Sequence, residues 1–351
     1  MRNKILYAMI GIASFAQCSA SNTDSLLDPV KFGTLTETDQ HLTLLDVRNP
    51  EEFHEGYIPG AINVDFQNPD FLNLAKQAVA SGNDIALYCR SGHRSASAAE
   101  ILEKNGYSVT DLKGGFLAWQ EDRLPLTTGA TDKYLTPQGS TVTIEPLIHA
   151  SLRITLGDYE IEIDPVGQLG DRVTDYASFP KADIILVTHE HHDHFDPKAI
   201  ETLSGQNTRV ILNEATAKLL GHGEVMHNGD KLTINEHLTI ESVPAYNTTP
   251  CREQFHPKGR DNGYILTLYV LRIYIAGDTE VILEMNQIKD IDVAFLPCNQ
   301  PYTMTPPQFI EAAKIINPRV VYPYHFGDTD LSAITPALAP EGIYVRIFPF
   351  H

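Results

Sequence analysis

The run Thr188-His189-Glu190-His191-His192-Asp193-His194 follows an apolar, strand-like stretch from Ala182 to Val187, and it constrains this chain more than any other segment. It sets three imidazoles and a carboxylate at HxHxDH spacing. In an extended turn leaving a strand, His189 and His191 point the same way while Asp193 and His194 swing onto the next side, a placement a helix would not give. Four such ligands suit one cation or a close pair. A solvated, histidine-rich surface loop is the bland alternative, but it has no reason to keep this spacing. His192 occupies the free position of the pattern and is expected at the surface or in a supporting contact.

The spacing resembles the metallo-β-lactamase superfamily of metal-dependent hydrolases. Ile273-Tyr274-Ile275-Ala276-Gly277-Asp278-Thr279 resembles that superfamily's strand ending in a bridging aspartate, and Val320-Val321-Tyr322-Pro323-Tyr324-His325 its last strand and final histidine. The resemblance therefore implies His189, His191, Asp193, His194, Asp278 and His325 as metal ligands, with Asp193 also close to the chemistry. It implies a divalent metal as one or two ions, zinc first, with manganese or iron as alternatives. One ligand is out of place. Thr239 to Asn247 resembles the strand that normally ends in a middle histidine, yet it offers Tyr246 and Asn247. Asn247 as an oxygen ligand, His256 reaching in from Phe255-His256-Pro257-Lys258-Gly259, and an under-coordinated metal all remain open. The surrounding residues resemble a poorly characterised, lactonase-like branch of metal-dependent hydrolases rather than true β-lactamases.

A second chemistry lies upstream. Ile85-Ala86-Leu87-Tyr88 reads as a short strand, Cys89-Arg90-Ser91-Gly92-His93-Arg94 as a loop, and Ser95 to Lys104 as a helix closed by Asn105-Gly106. Cys89 thus faces a helix N-terminus, where backbone N–H groups, the helix dipole and two arginines favour thiolate. Cysteine, four residues, then Arg94 and Ser95 resembles the active loop of rhodanese-like sulfurtransferases. Leu44-Leu45-Asp46-Val47-Arg48, His54 to Val64, and Leu112-Lys113-Gly114-Gly115-Phe116 with Trp119 resemble the family's flanks. Related phosphatases carry one more loop residue, so this loop suits a single sulfur atom. The resemblance implies Cys89 as persulfide carrier and Arg94 as the residue closing the loop. Arg90, Ser91, Gly92 and His93, with Asp46 and Arg48 beside them, would contact a sulfur donor such as thiosulfate. For Asp46, Arg48 and Trp119, salt bridging and core packing are equally good readings.

The chain of 351 residues can bury two cores. The expected fold class is α/β: a rhodanese-like parallel-sheet domain at 28–128, a Thr/Gly/Asp/Pro-rich linker at 129–140, and a metallo-β-lactamase αββα sandwich at 141–351. Val142 to Ile144, His149 to Ile154 and Ile161 to Pro165 read as that sandwich's first strands. Residues 1–22 read as a signal peptide, because Arg2 and Lys4 precede an apolar run, Ile5 to Ala16, too short to span a membrane. Export to a periplasm is the expectation, with lipid anchoring at Cys18 as the alternative and the one route to a membrane. Cys89, Cys251 and Cys298 remain after cleavage, an odd number that argues against a disulfide framework; Cys298 reads as a core residue.

A net charge of −19 argues against nucleic-acid partners, which need a basic face. The sequence thus points to an exported enzyme in which a metal-activated water hydrolyses a small ester, lactone, amide or phosphoester, while Cys89 passes on sulfur. The alternatives are a single-iron persulfide dioxygenase coupled to the sulfurtransferase, and a sensor that binds sulfur or metal without turnover. Oligomeric state is not legible.

Overall fold

The computed structural model describes residues 25–127, 131–136 and 139–348. The leader at 1–22 and Cys18 lie outside them. Among the described residues, no helix is long and apolar enough to cross a membrane.

The first unit is a parallel sheet of five strands, in the order Leu26–Leu27, Val109–Leu112, Asp84–Tyr88, Leu42–Asp46, Ile62–Asn63. Parallel strands need crossovers, and the helices that supply them cover both faces, so the strands read as apolar runs. The period of two is visible in the packing. Leu45, Ile85 and Leu87 face one cluster with Ala98 and Leu102, whereas Leu44, Ala86 and Tyr88 face Phe32, Phe116 and Trp119 on the other side. Helix His93–Lys104 starts from Gly92 at φ 95, and helix Pro50–His54 from a capping box between Asn49 and Glu52.

Two larger sheets form the second unit. The eight-stranded sheet includes Arg209–Leu212, Ile184–Leu186, Tyr159–Ile163, Leu152–Leu156 and Thr141–Pro146 in that order. The seven-stranded sheet includes Leu238–Ala245, Asp261–Leu268, Leu271–Ile275, Val293–Pro297 and Val320–Tyr324. Their inner faces share one core, with Ile144, Ile154, Ile161, Ile184 and Leu186 packed with Ile240, Leu266, Ile273, Phe295 and Tyr322. The outer face of the first sheet packs on helix Pro197–Leu203, and that of the second on helices Pro306–Ile316 and Ile334–Leu338. The result is the αββα sandwich with helices outside and sheets within. Cys298 lies buried in the outer apolar cluster.

The segment expected as a linker is not free. Leu126–Thr127 pairs with strand Asp132–Leu135, which in turn pairs with Thr141–Pro146 and extends the eight-stranded sheet. Its burial alternates, with Asp132 and Tyr134 inward. Tyr134 Oη lies 2.6 Å from Tyr322 Oη, and the Asp132 carboxylate accepts from Tyr322 Oη at 2.7 Å and Arg346 Nε at 3.0 Å. Polar composition suggested a loop, but partners from distant strands bury those polar groups. Arg346 and Tyr344 also reach Glu37 on the first unit's helix Pro29–Thr38. The Trp119 and Tyr344 rings close over Gly33, where an added Cβ would stand 2.8 Å from each.

Buried Glu162 on strand Tyr159–Ile163 has Arg153 only at 4.0 Å, and burial pushes its carboxyl from 4.5 to about 9. A raised carboxyl is protonated when folded but ionises on unfolding, so its contribution is full below pH 4.5 and is lost as pH rises through about 9. The slope is about 1.4 kcal/mol per pH unit. Glu162→Gln should therefore flatten the decline in Tm toward alkaline pH and gain stability at pH 9; a variant with the wild-type profile would refute a protonated Glu162.

Candidate metal centre

The centre sits at the ends of the strands that the shared core holds rigid. After strand Ile184–Leu186, Thr188 donates its amide and hydroxyl to Asp164, each at 2.7 Å. Asp164 follows strand Tyr159–Ile163 at a φ of 44. His194 Nδ1 lies 2.8 Å from Asp164 Oδ2, and since a carboxylate only accepts, Nδ1 carries the proton and Nε2 presents a lone pair. His189 is oriented through Thr188. With its hydroxyl hydrogen given to Asp164, Thr188 accepts from His189 Nδ1 at 2.9 Å, again leaving Nε2 free. His256 Nδ1 is held by Asp261 at 2.9 Å, and Arg260 braces that carboxylate at 2.6 and 2.8 Å.

Asp278 lies between these rings. Its carboxylate oxygens stand 3.3 Å from Nε2 of His194, His256 and His325, and 4.0 Å from Nε2 of His189. Gly277 makes the approach possible, because at φ 65 a Cβ there would stand 2.8 Å from the Asn262 carbonyl oxygen. His325 Nε2 is also 3.4 Å from Asp193 Oδ2. Donor atoms of His189, His191 and His256 lie within 4.8 Å of one another, as do those of His149, Asp193, His194 and His325, and those of His189, His194 and Asp278.

The buried Nε2 atoms of His149, His189, His194, His256 and His325, together with Asp278 Oδ1, have no hydrogen-bond partner. Leaving so many polar atoms dry and unpaired is costly, and a cation removes that cost. Imidazole and carboxylate donors at these spacings fit zinc and its divalent neighbours. With no cation present the rings divide: burial opposes charge on His194 and His256, but the carboxylates of Asp278, Asp164 and Asp261 outweigh it and raise both, His256 to about 9, so ligation there displaces a proton. Burial, then the neighbouring rings, hold His189 well below the ordinary histidine value, in the neutral form that ligates. Burial opposes ionisation of Asp278, but the His325 and His194 rings outweigh it and hold its carboxyl well below the usual range.

The structure brings together His189, His191, Asp193, His194, Asp278 and His325, as the sequence implied, and adds one of the two open residues to them. His256 enters the cluster. Asn247 Nδ2 donates to the carbonyls of Tyr302 at 2.8 Å and Arg252 at 3.3 Å, while its Oδ1 is buried without a partner. The histidine that seemed absent is supplied by a loop that folds back, Asn247 N donating to His256 O at 2.9 Å. His192 is 88% exposed and points away. His149, Asp164 and Asp261 were not singled out from the sequence. His149 was read into a strand, yet it occupies the turn between Thr141–Pro146 and Leu152–Leu156 at φ 59, where apolar alternation gives no signal.

In the first unit, Cys89 leaves strand Asp84–Tyr88 and is buried, its Sγ accepting from Gly92 N at 3.2 Å. Arg90, Ser91 and His93 are exposed around it. Arg94 is held bidentately by Glu52 at 2.8 and 2.9 Å. Asp46 and Arg48 are buried, 0% and 3% exposed, and paired with each other at 2.5 to 3.0 Å, and Arg48 donates to Gly56 O at 2.8 Å over the Phe116 ring. Two adjacent, opposite charges in a dry interior satisfy each other.

Known proteins match both units. The model of a rhodanese-like domain matches residues 29–122, and that of a beta-lactamase superfamily domain residues 143–325. A UPF0173 metal-dependent hydrolase of Thermococcus kodakarensis is 32% identical over 194 residues, 53% of this chain and 84% of that protein. The chloroplastic thiosulfate sulfurtransferase 16 of Arabidopsis thaliana is 40% identical over 91 residues, 23% of this chain and 76% of its own. A crystal structure from Parabacteroides distasonis, described as a metal-dependent hydrolase, is 51% identical with a TM-score of 0.61, covering 63% of this chain and 99% of that one. With its cluster of histidines and aspartates at the strand ends, the chain belongs to the β-lactamase superfamily of metal-dependent hydrolases and carries a rhodanese-like domain ahead of the sandwich.

Proposed function

We propose that the sandwich domain hydrolyses a small ester, lactone, amide or phosphoester at a two-ion zinc centre, and that the rhodanese-like domain transfers sulfur through a persulfide on Cys89. The observation that carries the first part is the set of unpartnered Nε2 atoms converging on Asp278. His189, His191 and His256 would hold one ion, Asp193, His194 and His325 the other, with Asp278 between them. Bound divalent ions supply Lewis-acid polarisation of the scissile group and lower the pKa of a water at the centre. The protein's own part is orientation. Asp164 and Asp261 fix the proton on Nδ1 of His194 and His256, so Nε2 of each ring faces inward. Manganese or iron suits the same donors.

The sulfur-transfer reading rests on Cys89 at the start of a loop that closes into helix His93–Lys104, with the Gly92 amide donating to its sulfur. The thiolate would attack the outer sulfur of thiosulfate; the S–S bond breaks, sulfite leaves with its electron pair, and Cys89 retains the persulfide. An acceptor thiolate or cyanide then takes that sulfur. Export from the cytoplasm, suggested by Arg2, Lys4 and the apolar run Ile5 to Ala16, belongs to the same proposal.

Metal analysis of the purified protein should give about two zinc or manganese ions per chain; one iron and oxygen uptake with glutathione persulfide would favour a dioxygenase instead. Asp164→Ala frees the His194 ring and should weaken metal binding about 10- to 100-fold in chelator competition, so unchanged affinity would contradict its orienting role. Cys89→Ser should abolish thiocyanate formation from thiosulfate and cyanide while hydrolysis of a p-nitrophenyl ester or phosphodiester panel persists. Equal loss of both activities would contradict separate sites.

A further inference from the structure

Outside the ligands implied by the motif, one more imidazole reaches the centre. His149 Nε2 is buried without a hydrogen-bond partner and stands 3.3 Å from Asp193 Oδ2, the oxygen that also lies 3.4 Å from His325 Nε2. The His149 and His325 rings lie 3.7 Å apart between centroids. From these contacts we infer that His149 is a direct ligand of the ion on the Asp193 side, an inference that rests on the two-ion reading.

Spacing separates ligation from a hydrogen bond. Donor atoms about 2.0–2.2 Å from a common ion in tetrahedral directions stand roughly 3.3–3.5 Å from each other. The 3.3 and 3.4 Å separations fall in that range, and the Asp193 contact is longer than the ordinary N–H···O bond of about 2.9 Å and unaligned for one. His149 also belongs to a group with Asp193, His194 and His325 whose donor atoms all lie within 4.8 Å.

The backbone is shaped for this placement. His149 holds a φ of 59 and His325 a φ of 47, conformations that L-residues rarely adopt, and the His149 carbonyl accepts from His325 N at 3.2 Å. The turn is closed by Leu147 N donating to Ser151 O at 2.9 Å, while Ser151 Oγ donates to the Asp164 carbonyl at 2.6 Å. His149, Asp164 and His325 are thus positioned as one unit. With His149 added, Asp193, His194, His325 and Asp278 form the richer donor set. The other side keeps His189, His191, His256 and the shared Asp278.

The test uses zinc alone with the full-length protein. Wild type, His149→Ala and His149→Phe, which retains a ring, are titrated with zinc against a chromogenic chelator, and a zinc-loaded wild-type crystal is solved. The expected result is two ions in wild type, one bound with wild-type affinity and the other weakened at least about tenfold in both variants, and His149 Nε2 about 2.0–2.1 Å from an ion. Wild type holding two ions while both variants bind both as tightly, or a crystal with Nε2 about 3 Å from Asp193 and bonded to no ion, overturns this inference alone. Wild type holding a single ion overturns the two-ion reading and this inference with it. If His149→Phe restores wild-type affinity that His149→Ala loses, the ring acts by packing and the ligand assignment fails.

Discussion

A cluster of imidazoles in a dry interior is unstable unless something positive lies among them, and this constraint governs the sandwich domain. Nε2 atoms of His189, His194, His256 and His325 are buried, unpartnered and grouped around the Asp278 carboxylate, and that of His149 lies beside Asp193. Rings alone would repel once charged and would lose hydration when neutral. Metal binding resolves both problems, so the energy that stabilises the centre comes from the ligand the centre is built to hold.

The price of that arrangement appears in the backbone. His149, Asp164 and His325 all adopt positive φ, and Gly277 does so immediately before Asp278. Such conformations persist where surrounding structure over-determines them. Here the surrounding structure is the stack of two sheets whose inner faces share one core, with the site residues emitted from strand ends, the turn at His149 and the loop that carries His256. The rhodanese-like unit joins that framework rather than trailing from it. Leu126–Thr127 pairs into the eight-stranded sheet, Arg123 meets Asp292 at 2.9 Å, and Tyr344 and Arg346 bind Glu37.

The parts of the site carried by contiguous sequence were legible. His189, His191, Asp193 and His194 share one loop, and Gly277-Asp278 and His325 end strands whose apolar runs are plain. His256 was ambiguous because its position depends on how the loop after strand Leu238–Ala245 folds back, which local pattern does not encode. His149 and Asp164 were hidden by the strand-like alternation around them. The strand Asp132–Leu135 was hidden by polar composition, since the partners that bury Asp132 and Tyr134 are Tyr322 and Arg346, remote in sequence. In the rhodanese-like loop, the spacing from Cys89 to Arg94 was legible, but the mutual burial of Asp46 and Arg48 was a question of partners and needed the fold.

The central claim is that these side chains enclose two cations with Asp278 between them, and anomalous diffraction from a crystal grown with zinc addresses it most directly. The account predicts two peaks roughly 3.5–4 Å apart on either side of the Asp278 carboxylate. A map without peaks there, with zinc present in the crystal, would contradict it.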